Sequence, residues 1–207
     1  MNKKLRLLIT EDCPRACPGC CNKQWDLKAL PNALTFSKYS EILITGGEPL
    51  LYPKYLEDVL QFLRTRSGAY IYIYTAIADN LLLDLIVTRA CDGFTITIHT
   101  EEDRDRFVAW YDDLARRDHI SRLFDIGRHG SSISWRLNVF KEAKFRVSKG
   151  AYLPFVVKNG IEWIKDCPLP EGEEFMRFNH EDFLDVWSFR EKVPWHPVPR
   201  LGSKREI

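Results

Sequence analysis

Short apolar runs rich in β-branched residues alternate with amphipathic helical stretches over most of this chain, and this alternation strongly constrains the fold. The run 69–75, Ala-Tyr-Ile-Tyr-Ile-Tyr-Thr, is typical of a strand, and residues 55–66 place four apolar side chains on one helix face. Strands are predicted at 5–10, 41–45, 69–75, 93–100, 132–140 and 145–155, and helices at 55–66, 80–90 and 101–117. The alternation therefore predicts an α/β protein with parallel strands and crossover helices.

The number of strand–helix units limits the architecture further. Five or six units are too few for a complete eight-stranded barrel, so we expect a partial (β/α)6-type parallel barrel, open on one side. Residues 1–156 form the predicted core. Residues 157–207 form a short irregular C-terminal extension with a helix at 181–190 and a proline-broken segment at 193–200. This extension is expected either to cap the open barrel or to be partly disordered.

Composition limits the classes of partner. The 207 residues are 45% hydrophobic and 29% charged, with a formal net charge of +1, which is ordinary for a globular protein with one core. The balanced charge gives no signal for nucleic acid. No apolar run approaches the roughly 20 residues that cross a bilayer, so no membrane partner is expected. Free thiols without a signal peptide predict a cytoplasmic protein.

Three cysteines lie on one short loop directly after the first predicted strand. Cys13, Cys17 and Cys20 are separated by three and then two residues. A zinc site needs four ligands, and no second cysteine pair follows. Three thiolates on one loop suit a [4Fe–4S] cluster that keeps one iron open. The alternatives are a structural zinc site completed by a distant histidine and, with less support, a disulfide framework.

A second motif, Gly46-Gly47-Glu48-Pro49, follows the second predicted strand. Together, the Cys-x3-Cys-x2-Cys loop and this turn resemble the radical S-adenosylmethionine (SAM) superfamily over roughly the first three quarters of the chain. One departure is Gly19, because family members often carry there an aromatic residue that packs near the adenine. The Pro-Gly between Cys17 and Cys20 is reminiscent of anaerobic ribonucleotide reductase activases.

The resemblance implies a role for each motif. Cys13, Cys17 and Cys20 would ligate the [4Fe–4S] cluster, and SAM would chelate the open iron. Gly46 and Gly47 would let the backbone approach the methionine end of SAM, while Glu48 accepts from its ammonium group and Pro49 fixes the turn. Reduction of the cluster by a donor such as flavodoxin or ferredoxin would cleave SAM, and the 5′-deoxyadenosyl radical would abstract a hydrogen atom from an unidentified substrate.

Other polar residues fall at the carboxyl ends of predicted strands, where sites form in parallel α/β folds. Arg136 and Asn138 share one strand face and either reach the ribose or carboxylate of SAM or serve as structural polar residues. Thr75 and His99 are candidates of the same kind, and a histidine at a strand end is more often only hydrogen-bonded than a general base.

The remaining cysteines carry weaker expectations. Cys91 is predicted to be a buried small residue. Cys21 either tunes the cluster or has no role, and the second alternative is favoured. Cys167, in a turn-rich loop, is a candidate for a thiol that exchanges a hydrogen atom with the substrate.

These motifs favour a radical SAM enzyme that modifies a nucleotide, a deazapurine precursor or a peptide. A glycyl-radical enzyme activase is one alternative. A non-catalytic iron–sulfur or zinc binding module is an alternative from another class. A degenerate member that binds SAM without cleaving it is a third, for which Gly19 is the hint.

Overall fold

The structure, a computed structural model, describes residues 3–15, 17–116, 134–148 and 150–179. Its strands are β1 (Lys4–Thr10), β2 (Glu41–Gly46), β3 (Tyr70–Thr75), β4 (Gly93–Ile98), β5 (Ser134–Phe140), β6 (Val156–Ile161) and β7 (Glu173–Arg177). Its α-helices are α1 (Pro53–Arg66), α2 (Leu81–Val87) and α3 (Glu101–Arg116). Short 3₁₀ turns occur at Cys21–Lys23, Leu27–Ala29, Pro49–Leu51 and Lys141–Ala143.

The seven strands form one sheet in the order β6-β5-β4-β3-β2-β1-β7. Every neighbouring pair is parallel. Within the described residues β6 and β7 are the two edges and do not pair with each other, so the sheet is open. The predicted α/β class with parallel strands is confirmed. The open parallel sheet is consistent with a partial barrel, although it has seven strands where six units were expected.

The alternation of side chains within the strands decides which sheet face joins the core. In β3, Ile71 and Ile73 are fully buried, whereas Tyr72 and Tyr74 on the opposite face are only partly covered. Helix α1 turns its predicted stripe of Leu56, Val59, Leu60 and Leu63 into the same core. Because the helix stripe and the strand face are both apolar, their contact removes both from water, and this burial drives the association.

The sixth strand was predicted at the wrong place. Residues 145–155 do not form a strand, and β6 instead occupies Val156–Ile161. The expected segment contains Gly150, with a φ of +82°, and Pro154 after a cis peptide bond. Residues 150–154 form turns instead of an extended ladder, and Pro154 has no N–H to donate to a neighbouring strand. The chain becomes regular only beyond them.

Strand β7 had no sequence prediction at all. It lies in the stretch assigned to the C-terminal extension and pairs in parallel with β1, from Lys4 opposite Glu173 to Leu8 opposite Arg177. All of β7 and all but the first residue of β6 fall within residues 157–207. The predicted extension therefore contributes to the sheet. The predicted boundary at 156/157 itself stays a prediction.

Several predicted segments lie wholly or partly outside the residues that the structure describes. The predicted helix at 181–190 and the proline-broken segment at 193–200 lie outside the described residues, as do the first two residues of the strand predicted at 132–140. No helix in the described part of the chain combines the length and apolar character needed to cross a bilayer.

Candidate active site

The loops that follow the strands meet at one edge of the sheet, because all strands run in the same direction. The cysteine loop, residues 11–25, follows β1 and contacts the turn after β2: the N–H of Glu48 donates to the carbonyl of Asp12 at 2.8 Å. The Nδ2 of Asn22 donates to the carbonyl of Gly46. The structure thus brings the two sequence motifs together at the carboxyl edge of the sheet.

The thiols of Cys13, Cys17 and Cys20 are free, and none of them is deeply buried. Partial burial raises the pKa of Cys17; the Arg15 guanidinium acts against this rise, and the neighbouring Cys20 and Cys13 add to it. Cys13 and Cys20 are therefore close enough to Cys17 to affect it electrostatically. A bound cation or metal cluster would reverse this repulsion, because it stabilises the thiolate form.

The donor set fits an iron–sulfur cluster by its chemistry: three soft sulfur ligands on a loop with few backbone hydrogen bonds and none of the three in a disulfide. The geometry is not that of a loaded site. Across the described ranges, no three His, Cys, Asp or Glu side chains converge tightly enough to hold a metal ion. Binding a cluster would require the cysteine side chains to turn towards a common centre.

Gly46 and Gly47 allow two chain segments to approach closely. A Cβ on Gly47 would lie 1.9 Å from the carbonyl oxygen of Asp12, and one on Gly46 would lie 2.2 Å from that of Thr10. Gly46 also has a φ of +145°, which side chains rarely adopt. The N–H of Gly47 donates to the Thr10 carbonyl at 2.7 Å. In this structure the glycines serve the packing of the turn against the start of the cysteine loop.

Glu48 is only 2% exposed, and its carboxylate is engaged within the protein. It accepts from the Thr75 hydroxyl at 2.6 Å and from the backbone N–H groups of Ala76 and Leu50 at 2.9 and 3.2 Å. Burial raises the pKa of Glu48, and these hydrogen bonds partly oppose the rise. Pro49 begins the 3₁₀ turn that follows. Glu48 and Thr75 therefore join the ends of β2 and β3, and an acceptor role towards SAM stays a prediction.

His99 lies one residue beyond β4 in a group of three aromatic rings. Its imidazole stacks on Trp163, with centroids 5.1 Å apart and an interplanar angle of 5°. Phe140 contacts both rings: its ring centroid lies 4.7 Å from that of His99 and 4.3 Å from that of Trp163. Burial, with a smaller effect of Arg15, lowers the pKa of His99 to about 4. The imidazole is therefore neutral at physiological pH.

Two nitrogen atoms of this group have no hydrogen-bond partner among the described residues. His99 Nδ1 and Trp163 Nε1 are buried, and no described residue bonds to either. The closest charged neighbour of the imidazole, Asp103, has its carboxylate oxygen 3.9 Å from Nδ1. Such orphaned nitrogens are uncommon in proteins, and a ligand beside the rings would offer them partners.

Arg136 and Asn138 lie on β5, which β4, β3 and β2 separate from β1, the strand before the cysteine loop. Arg136 pairs with Thr95 and Asn138 with Thr97, so both precede the end of β5. Arg136 helps to line a cavity of about 280 Å³ on the sheet face that carries Tyr72 and Tyr74. Other lining residues, Lys4 and Glu41, begin their strands. The structure therefore does not bring Arg136 to the edge where the cysteines lie.

Sequence reasoning missed the pairing of Cys21 with Cys167. The two form a disulfide bond, with Cα atoms 5.5 Å apart and a sequence separation of 146. The expectation that Cys21 has no role is therefore wrong for this state of the protein, in which Cys167 also offers no free thiol. Cys91 is buried as expected. The available signal was that Cys21 and Cys167 both lie outside the three-cysteine motif. Sequence alone does not tell which cysteines pair.

The segment between β6 and β7 lies against the cysteine loop. Besides the disulfide, Trp25 Nε1 donates to the carbonyl of Cys167 at 3.2 Å, and Gln24 Nε2 donates to that of Ile164 at 3.4 Å. Trp163 fills the space beside Gly19, where an added Cβ would come within 2.5 Å of the Trp163 side chain. The loop is thus covered by a part of the chain to which sequence reasoning assigned only a possible capping role.

Comparison with known proteins gives little further guidance. No family model matches the chain, and no curated protein matches it. Among solved structures, the chain is similar to the crystal structure of Streptococcus suis SuiB, with 13% identity and a TM-score of 0.42. The match covers 91% of this chain but only 45% of SuiB, so the chain spans less than half of that protein. A similarity at this level does not establish a shared fold or function.

Proposed function

We propose that this protein is a radical SAM enzyme. The observation that carries the proposal is the meeting of two motifs: three free cysteine thiols on one loop, and the Gly46-Gly47-Glu48-Pro49 turn hydrogen-bonded to the same loop. Neither motif alone is specific. A turn of this kind ends many strands, and three cysteines can hold other metals. Their contact at the carboxyl edge of a parallel sheet, where active sites form, supports a single site.

In this proposal Cys13, Cys17 and Cys20 hold a [4Fe–4S] cluster, and residues 46–49 hold the methionine end of SAM. When bound, the two groups would supply one-electron cleavage of SAM and hydrogen-atom abstraction from a substrate. The protein contributes position and shielding. The Arg15 guanidinium favours the thiolate of Cys17, because it counters the rise in the pKa of that thiol.

The chain's own residues also suit a shielded site. His99 is neutral, so it does not repel a cationic ligand, and only one of its two ring nitrogens carries a hydrogen. Phe140 and Trp163 pack against each other at the ends of β5 and β6 and add apolar surface there. We propose that the substrate is a nucleotide, a deazapurine precursor or a peptide. A flavodoxin or ferredoxin would deliver the electron.

Anaerobic reconstitution with iron and sulfide tests the proposal. We expect about four irons and four sulfides per chain, and formation of 5′-deoxyadenosine when dithionite and SAM are added. Cys17→Ala removes a proposed ligand and should abolish both. Cys91→Ala is the matched control, because Cys91 is a free thiol buried in the core, away from the cysteine loop. It should keep the iron content and the 5′-deoxyadenosine yield of the wild type.

Other outcomes would favour the alternatives. One zinc per chain with no uptake of iron would overturn the proposal and support a zinc binding module. A loaded cluster that binds SAM but never cleaves it would indicate a degenerate family member. Product formation only with a glycyl-radical enzyme as the second protein, read as a glycyl radical by electron paramagnetic resonance, would indicate an activase.

A further inference from the structure

Beside the cysteine loop lies a cluster of three aromatic side chains at the ends of neighbouring strands. Trp163, His99 and Phe140 contact one another, and the main hydrophobic core of the described residues includes none of the three. They lie instead where β4, β5 and β6 end. The cluster belongs by position to the proposed site.

Trp163 stands where the cysteine loop lacks a side chain. A Cβ built on Gly19 would be 2.5 Å from both Cβ and Cγ of Trp163 and 2.6 Å from its Cδ2. Real Cβ contacts are not this short, so any side chain at position 19 and the present position of Trp163 exclude each other. Gly19 directly precedes Cys20, so the indole is next to a proposed cluster ligand.

The chemistry of the cluster suits a flat nitrogen heterocycle. The indole N–H is buried without an acceptor among the described residues, and Nδ1 of His99 is likewise unpartnered. A purine ring presents an apolar face for contact with an aromatic side chain and ring nitrogens that accept from an indole N–H. An aliphatic ligand would satisfy only the apolar contact.

We propose that Trp163 is the side chain against which the adenine of SAM packs, supplied from the segment after β6 because Gly19 supplies none. This inference rests on the proposed function. Trp163 is therefore a binding residue contributed by the C-terminal part of the chain, and the contacts that hold residues 162–167 on the cysteine loop position it. The Gln24 bond to Ile164 and the Cys21–Cys167 disulfide are two such contacts.

Titration calorimetry of the cluster-loaded protein tests this assignment, with SAM and free methionine as probes. Trp163→Ala should weaken SAM binding about ten-fold or more, because stacking of a base on an aromatic side chain is commonly worth that factor. Methionine has no adenine, and its affinity should be unchanged. Trp163→Phe keeps a ring and should lose less affinity, which also guards against a folding defect in the alanine variant.

A compensating pair uses the exclusion between positions 19 and 163. Gly19→Ala should lower the melting temperature of the wild-type protein but not that of the Trp163→Ala variant, where the space is free. Gly19→Phe combined with Trp163→Ala returns an aromatic ring to the site from the other side. We expect the double variant to recover much of the affinity for SAM that Trp163→Ala loses.

The outcomes separate this inference from the function on which it rests. Wild-type binding of SAM that Trp163→Ala leaves unchanged, or tightens, would overturn the role of Trp163 and leave the enzyme class standing. A parallel loss of SAM and methionine affinity would also overturn it, since a general defect of the site would explain both. A wild-type protein that loads a cluster but does not bind SAM would overturn both proposals.

Discussion

Arg15 of the cysteine loop forms an ion pair with Asp103 in the first turn of α3. The Asp103 side chain is 3% exposed, and its second carboxylate oxygen accepts from the backbone N–H groups of His99 and Thr100 at 2.9 and 3.0 Å. One carboxylate therefore joins the cysteine loop, the end of β4 and the start of α3.

Removal of that carboxylate should destabilise the protein strongly. Asp103→Ala leaves the partly buried guanidinium without its partner and two N–H groups without an acceptor, and we expect it to lower the free energy of unfolding by about 3 kcal/mol. Urea denaturation measures the change. Glu102→Gln breaks the exposed Glu102–Arg106 pair on the same helix and is the control. It should have much less effect, because exposed pairs contribute little. Equal losses in the two variants would contradict the role given to Asp103.

Gly47 should tolerate no side chain. Gly47→Ala places a Cβ against the Asp12 carbonyl, which belongs to the backbone and cannot move without opening the turn. We expect the variant to lose about 2 kcal/mol or more of unfolding free energy. Gly68→Ala is the matched control, because a Cβ there meets nothing within 4 Å. It should leave the stability unchanged or raise it slightly. A Gly47→Ala protein as stable as Gly68→Ala would show that the two segments do not pack as described.

The buried imidazole of His99 predicts a pH dependence. Its pKa is about 4 in the folded protein and near 6.5 when unfolded, so between these values the unfolded chain binds the extra proton. Stability should therefore fall as the pH drops from about 6.5 to 4, by up to about 3 kcal/mol from this group.

Comparison with His99→Gln isolates that contribution. Urea denaturation of both proteins at several values of pH over this interval gives the free energy of unfolding as a function of pH. The raised pKa of Glu48 also contributes to this pH dependence, but equally in both proteins. The wild-type curve should fall more steeply towards acid than the variant curve. Parallel curves would mean that His99 titrates normally and is not buried as the structure has it.

The disulfide between Cys21 and Cys167 should be measurable directly. Of the six cysteines, four have free thiols, so thiol titration of the denatured protein should give four without a reductant and six after reduction. A bond that closes so long a loop should also stabilise the folded state, by up to about 5 kcal/mol from the lost entropy of the unfolded chain. The Cys21→Ala/Cys167→Ala double variant should have the same urea midpoint with and without reductant. Six thiols in the protein purified without reductant would refute the bond.

The local pattern of the sequence determined much of this protein. Short apolar runs rich in β-branched and aromatic residues predicted β1 to β5 within a few residues, because a buried strand needs such side chains along its own length. The helix stripe of α1 was correct for the same reason. The spacing of Cys13, Cys17 and Cys20 placed three thiols on one loop, because the three and two residues between them are too few to separate the cysteines widely. Proline and glycine at 150–154 interrupted the pattern, and there the prediction of β6 failed.

Only the tertiary structure decided what covers that loop. Arg15 meets Asp103 from 88 residues away, and Cys21 meets Cys167 from 146. Strand β7 is in the sheet because its backbone pairs with β1, although its own sequence, Glu-Glu-Phe-Met-Arg, is too polar to predict a buried strand. Trp163 occupies the space beside Gly19 because the segment after β6 packs against the cysteine loop. Such contacts depend on how distant segments are brought together in space, which local side-chain periodicity does not encode.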